Sequence, residues 1–207
     1  MIVIIDYGVG NVGSILNMLK KIKADAKISS DISDIEMADK LILPGVGSFD
    51  DAIKNIKAAG LLPTLNEKVI KNKTPILGIC LGMQLFSEKS EEGSLPGLGW
   101  IKGETVRFKL LNKQKKLKIP HMGWNTIKVE RDSTLLKGLY ENARFYFVHS
   151  YHLKCYNEKD IVATTWHGYN FPSIVEKNNI VGVQFHPEKS HKFGMQILKN
   201  FVEDDIC

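Results

Sequence analysis

A cysteine held between two glycines, Gly78-Ile-Cys80-Leu-Gly82, follows an apolar run and precedes a helix-like stretch from Met83 to Lys89. This is the nucleophile-elbow pattern with sulfur in place of the usual hydroxyl. A sharp strand-to-helix turn strains its central residue and leaves no room for Cβ atoms two positions to either side. The helix N-terminus then favours a thiolate. A thiol nucleophile needs a base and a group that orients the base. His186-Pro-Glu188 comes directly after the run Val181–Phe185. Residues two apart in extended chain point the same way, so Glu188 can reach back to one imidazole nitrogen and leave the other for Cys80. Acyl transfer also needs donors for an oxyanion. Pro44-Gly-Val-Gly-Ser-Phe49 follows a third apolar run. Its glycines let a bare N–H from Val46 or Gly47 turn toward the site, and the N–H of Leu81 is the natural second donor. Taken singly, these pieces read as a core cysteine, a surface histidine and a plain loop; together they favour acyl chemistry.

These groups meet only if strand ends are brought to one edge. Residues 2–6 form a continuous apolar run, the mark of a strand buried on both faces. Val12, Ile15, Leu16, Leu19 and Ile22 then fall on one helical face. Short strands are expected at Ala26–Ser30 and Lys40–Leu43, with helices carrying Ala52, Ile53 and Ile56, then Leu61, Leu65, Val69 and Ile70. Another buried strand spans Pro75–Ile79. Strands alternating with helices at this spacing predict a parallel sheet covered on both faces. After Leu95 the texture changes to β-branched and aromatic runs at Thr105–Leu110, Asn125–Glu130, Arg144–His149, Ile161–Thr165 and Ile180–Phe185. These predict hairpins joined to the same sheet, closed by a helix carrying Ile197, Leu198, Phe201 and Val202. The fold class is therefore α/β: an open, mostly parallel sheet with flanking helices and antiparallel hairpin additions in the C-terminal half. No linker or repeat divides the chain, so one domain over residues 1–207 is expected.

The 207 residues are 43% hydrophobic and 25% charged, which excludes disordered, collagenous and low-complexity classes. No apolar run reaches the ~18 residues that span a bilayer, and residues 1–6 read as a strand rather than a signal peptide. Three cysteines do not make a disulfide framework, so a reducing, cytoplasmic setting is expected. The net charge of +5 permits anionic partners without demanding them.

Other motifs compete. Gly8-Val-Gly10-Asn-Val-Gly13, with Asp31 further on, spells a dinucleotide-binding fingerprint, but Tyr7 intrudes before the first glycine. Lys109, Lys113, Lys115, Lys116 and Lys118 would suit phosphate contacts, yet Phe108 is the only ring nearby for stacking. His149 and His152 lack a third metal ligand at convincing spacing, so His149 reads as a site-lining or core residue. Cys155 and Cys207 have neither glycine context nor an evident base.

The motifs GICLG-MQL, PGVGSF and HPEKS, in this order, resemble a class I (triad) glutamine amidotransferase. Tyr7–Asn11, Pro120-His-Met-Gly-Trp-Asn125 and Phe147-Val-His-Ser-Tyr-His152 make the likeness closer, and it spans essentially the whole chain. The resemblance implies hydrolysis of glutamine through a γ-glutamyl thioester on Cys80, with His186 shuttling protons and Glu188 holding its tautomer. It matches Gly47 and Leu81 to the oxyanion donors, and Gln84, Glu92, Ser150 and Tyr151 to the groups holding the amino-acid end of glutamine. It implies no cofactor or metal. It also implies a heterodimer, in which ammonia passes to a (β/α)₈-barrel cyclase subunit docked over His121, Met122, Trp124, Asn125, Tyr146 and Lys189. The branch serving histidine biosynthesis fits, as does a related one that aminates surface-sugar precursors. A stand-alone cysteine hydrolase would share the Cys/His pair and need no partner.

Overall fold

In a computed structural model, residues 1–110 and 117–204 are described. The first strand shows why the chain takes this architecture. β1 (Ile2–Ile5) is buried along its length. Ile2 and Ile4 enter one hydrophobic core while Val3 and Ile5 enter another on the opposite face. Each such side chain contributes roughly 1.5–3 kcal/mol on burial.

The chain continues through α1 (Val12–Lys21), β2 (Ala26–Ser29), α2 (Ile32–Met37), β3 (Lys40–Leu43), α3 (Phe49–Ala58), α4 (Leu61–Asn66), β4 (Ile76–Ile79) and α5 (Leu81–Gln84). A π-helical turn at Glu67–Lys71 extends α4. The second half runs through β5 (Lys89–Ser90), β6 (Gly103–Arg107), β7 (His121–Thr126), β8 (Lys128–Val129), β9 (Arg144–His149), β10 (Tyr151–Cys155), β11 (Ile161–Trp166), β12 (Asn170–Lys177), β13 (Ile180–Val183) and α6 (His191–Glu203).

Eight strands form the main sheet in the order β2-β1-β3-β4-β13-β12-β11-β8. The pairings from β2 to β13 are parallel and those beyond are antiparallel. Helices α1 and α6 cover one face through Ile15, Leu19, Ile197, Leu198 and Phe201. Helices α2 to α4 cover the other through Ile35, Phe49, Ile53, Leu61 and Leu65. β4 and β13 are central neighbours, although about a hundred residues separate them in sequence.

The hairpins depart from expectation. Of the second-half strands, β13, β12, β11 and β8 join the main sheet, whereas β10-β6-β5 and β7-β9 form two small sheets of their own. The run expected as one strand over 125–130 is split at Ile127, because β7 pairs with β9 while β8 pairs with β11. The helix expected as far as Lys89 stops at Gln84. The carbonyls that would continue it are taken elsewhere: Ser87 Oγ donates to Gln84 O at 2.7 Å, and Leu98 N–H donates to Leu85 O at 2.8 Å. α2, β10 and β12 carry no sequence expectation.

Candidate active site

Three adjacent strands, β3, β4 and β13, end at the same edge of the sheet, where open parallel sheets place their sites. Cys80 follows β4 in a left-handed conformation with φ 54° and ψ −108°. Its N–H donates to Val183 O at 2.8 Å, which locks the elbow onto the end of β13. The flanking glycines are sterically required. A Cβ on Gly82 would stand 1.9 Å from the Leu43 carbonyl oxygen, and one on Gly78 would meet the Phe86 ring at 2.6 Å.

His186 lies just past β13 and is buried, with its Nδ1 2.8 Å from Glu188 Oε1. Both side chains are almost wholly removed from solvent. The backbone around the ring is pinned as well. His186 N–H donates to Tyr146 O at 2.9 Å, and Ser190 Oγ donates to His186 O at 2.6 Å. With Nδ1 committed to the carboxylate, Nε2 has no ordinary hydrogen-bond partner among the described residues and is left for the thiol side. Burial opposes a charged ring here, but the Cys80 sulfur and the Glu188 carboxylate outweigh it and raise the imidazole to about 10.

A pocket of about 360 Å³ opens over the sulfur, a size suited to a small metabolite. Cys80, His186, Gly47, Leu81, Gln84, Glu92, Ser150 and Tyr151 all line it, so the residues expected to act on and hold a substrate are brought together. Gly47 has φ 104° and open space around its Cα, in contrast to the packed glycines of the elbow. Glu92 Oε2 accepts from Phe49 N–H at 2.9 Å. Burial raises its carboxyl above the ordinary range, more than that bond lowers it. Gln84 Nε2 donates to Tyr151 O at 2.8 Å.

His149 also lines the pocket and heads a group of buried histidines packed on Phe108, with ring centroids 4.8–6.2 Å from His121, His149, His152 and His167. The tautomers follow from the carbonyl and amide ends of the chain. His149 Nδ1 lies 2.7 Å from Tyr151 O and must donate to it, so its Nε2 accepts from His121 Nδ1 at 3.0 Å. His121 Nε2 in turn accepts from Asn125 Nδ2 at 3.1 Å, and the Asn125 amide is fixed because its Oδ1 takes Thr126 N–H. Burial lowers these rings: His121 to about 3, His152 to about 4, and His149 well below the usual value. They are neutral scaffolding, and both nitrogens of His149 are occupied by protein groups rather than held for a metal. Among the described residues no cluster of three or more His, Cys, Asp or Glu could hold a metal ion.

The expected docking residues divide by strand alternation. Met122 and Trp124 point outward, 62% and 45% exposed, and Lys189 is exposed beside them with its Nζ 5.7 Å from the Tyr146 ring. His121, expected on that surface, is buried; it and Asn125 face inward because they alternate with Met122 and Trp124 along β7.

The competing motifs fare differently. Gly13, which should pack tightly in a dinucleotide site, has nothing among the described residues within 4 Å of a would-be Cβ. Tyr7 OH instead donates to Pro44 O at 2.6 Å, so the glycine-rich turn braces the loop after β3. Lys109 pairs with Glu91 at 2.8 Å; Lys113, Lys115, Lys116 and Cys207 lie outside the described residues. Burial, with Asp160 adding to it, pushes the Cys155 thiol up to about 12, which leaves it unreactive. No helix of the described residues is long and apolar enough to cross a membrane. Sequence reasoning missed Gln184, whose Nε2 lies 3.6 Å from Cys80 Sγ. The signal was its place two residues before His186 on an extended run, which puts both on one face.

The family described as glutamine amidotransferase class-I matches residues 3–204. The chain is 58% identical over 203 residues to imidazole glycerol phosphate synthase subunit HisH 2 of Methanococcus maripaludis, covering 98% of this chain and 99% of that one. It is 50% identical over 203 residues to the subunit of the same name from Pseudomonas aeruginosa, with 98% and 99% covered. A glutamine amidotransferase structure from Thermotoga maritima superposes with a TM-score of 0.68 at 14% identity, covering 98% of each chain, which is a likeness of fold.

Proposed function

The chain belongs to the class I glutamine amidotransferases, and we propose that within this family it is the glutaminase subunit of an imidazole glycerol phosphate synthase. The observation that supports this most is the Cys80–His186–Glu188 constellation at the floor of a pocket of amino-acid size. Cys80 Sγ attacks the side-chain carboxamide carbon of glutamine. The carbonyl electrons move to oxygen, where the N–H groups of Leu81 and Gly47 take the charge. His186 gives its proton to the departing nitrogen, so ammonia leaves and a γ-glutamyl thioester remains on Cys80. His186, now neutral, takes a proton from water as that water attacks the thioester, and glutamate is released. Glu188 keeps the ring oriented through both halves. Gln84, Glu92, Ser150 and Tyr151 hold the amino-acid end.

Ammonia set free in water would be protonated and lost as a nucleophile. A subunit that only makes ammonia therefore works against a receiver, a (β/α)₈-barrel cyclase seated over Met122, Trp124, Tyr146 and Lys189. The names of the two relatives bear the same assignment, since both are subunits of a synthase. Two glycines flank Val46, so the peptide there can present either its carbonyl or its N–H. Only the N–H stabilises the oxyanion, and one lost donor is worth roughly 10²–10³ in rate. Contact through the docking face biases that choice and couples the two reactions.

The test is glutamate release by the purified chain alone, with its cyclase subunit, and with that subunit plus its nucleotide substrate. Slow turnover alone and strong acceleration in the full mixture are expected. Full-rate turnover by the isolated chain would favour a stand-alone hydrolase. A barrel partner that aminates a sugar precursor would move the assignment to the sugar branch.

A further inference from the structure

Gln184 is completely buried between the nucleophile and Gln84. Its Nε2 lies 3.6 Å from Cys80 Sγ, and its Oε1 accepts from Gln84 Nε2 at 3.1 Å. An amide can be turned end for end, so this contact means something only if the surroundings fix the direction. They do. The Tyr151 carbonyl can only accept, so the group of Gln84 that faces it at 2.8 Å must be the NH₂. That same NH₂ faces Gln184, so the Gln184 atom it meets must be the oxygen. The NH₂ of Gln184 is therefore turned to the sulfur. His149, whose Nδ1 also donates to the Tyr151 carbonyl, holds that oxygen from a second side.

We propose that Gln184 is a further residue of the glutaminase machinery, a buried N–H donor that holds negative charge on the Cys80 sulfur, with Gln84 and the Tyr151 carbonyl as the groups that fix its direction. This rests on Cys80 being the nucleophile. The donor acts at two moments. Before attack it favours the thiolate. When water has added to the thioester carbon and the C–S bond breaks, the electron pair returns to sulfur, and the N–H receives the leaving charge. It is weakest in the thioester itself, where sulfur is neutral. The groups around Cys80 that carry or gain charge are few. His186 from the end of β13 stands beside it, backed by Glu188. Tyr7 comes from the turn after β1, and burial and the sulfur both push its phenol up, so it stays neutral. His149 and Glu92 line the same pocket. Val148 O, 4.0 Å from Sγ, is an acceptor and can serve only the protonated thiol. Gln184 is the only uncharged side-chain donor among the described residues placed on the sulfur, and its charge does not change with pH.

The experiment follows the pH dependence of Cys80 alkylation by iodoacetamide, located by peptide mass, together with kcat and KM for glutamine in the complex with the cyclase. Gln184→Met keeps the volume and removes the donor. The pH midpoint of alkylation should rise by about one unit and kcat should fall about tenfold, the scale of one hydrogen bond to a charged group, with KM little changed. Gln184→Glu keeps the shape and the acceptor for Gln84 but turns an oxygen to the sulfur, and it should be at least as damaging. In the unsubstituted chain, the Gln184 side-chain amide resonances should shift when Cys80 is alkylated, a readout that needs no variant to fold. Alkylation of the unsubstituted chain at a cysteine other than Cys80 would overturn the nucleophile assignment. Normal Cys80 alkylation with an unmoved midpoint in Gln184→Met, tolerance of Gln184→Glu, or amide resonances that ignore alkylation would each overturn the role of Gln184 and leave the nucleophile standing.

Discussion

Two buried histidines border the same pocket and meet opposite electrostatic fates. His186 is raised to about 10, whereas His149 is held well below the usual imidazole value. Desolvation lowers both, so burial does not separate them. The difference lies in what each ring nitrogen meets. His186 faces a carboxylate on one side and a thiol on the other, groups that reward a positive charge. His149 faces a carbonyl and a second imidazole, whose demands are met by a neutral ring of fixed tautomer. One environment suits a proton carrier and the other suits a strut, from the same side chain at two places in one pocket. A histidine near a nucleophile is therefore not evidence of a base until its partners are named.

Removing the charged partnership gives the largest effect. His186→Asn should approach the loss seen in Cys80→Ser, about 10⁴-fold or more in glutamate release. Glu188→Gln should cost less, since it spoils orientation and charge but leaves the base in place. Wild-type turnover in His186→Asn would erase the distinction between the two rings. Acid should separate them next. The folded pKa values of His121, His149 and His152 lie below the unfolded value, so the stability they carry is full above about pH 6.5 and drains as pH falls, for His121 and His152 down to about 3 and about 4. At pH 5.5 three such rings cost about 4 kcal/mol relative to neutral pH. His186 has the opposite sign: its contribution is full below its unfolded value and is lost as pH rises through about 10. Denaturant titrations from pH 5 to 10 check both arms, and a chain no less stable at pH 5.5 than at pH 7.5 would contradict the neutral cluster. The smallest effect concerns the strut itself. His121→Phe preserves the stacking on Phe147 and His167 but removes the donor to His149. Loosening the Tyr151 carbonyl should raise KM for glutamine a few-fold while leaving the rate of Cys80 alkylation nearly unchanged. A kcat loss as large as that of Glu188→Gln would mean that the strut is part of the proton path.

The placement of Cys80, His186 and Glu188 at one sheet edge was readable because the three sit in two short motifs whose steric and hydrogen-bonding logic is local. The elbow glycines and the two-residue spacing of His186 and Glu188 need no knowledge of distant partners. The parallel half was legible for a similar reason, since a strand buried on both faces is apolar throughout. The histidine cluster was not, because His121, His149, His152 and His167 come from three strands and a turn and are brought together by contacts remote in sequence, such as the pairing of β7 with β9 and of β10 with β6 and the stacking of His167 on His121. The same pairing explains why His121 was expected outside. Strand alternation would have turned it inward once β7 was known to begin there rather than at Asn125. Gln184 was passed over because glutamine carries no charge to announce it.

The backbone of Cys80 has a consequence beyond geometry. A side chain at φ 54° costs on the order of 1–3 kcal/mol against a relaxed turn, and glycine would carry no such penalty there. Selection for a durable fold and selection for turnover thus pull in opposite directions at this one position. In a lineage that lost its ammonia receiver, no catalytic advantage would oppose the drift to glycine. The cysteine would be among the first residues to go, while the sheet and its two cores would persist as a recognisable but silent relic.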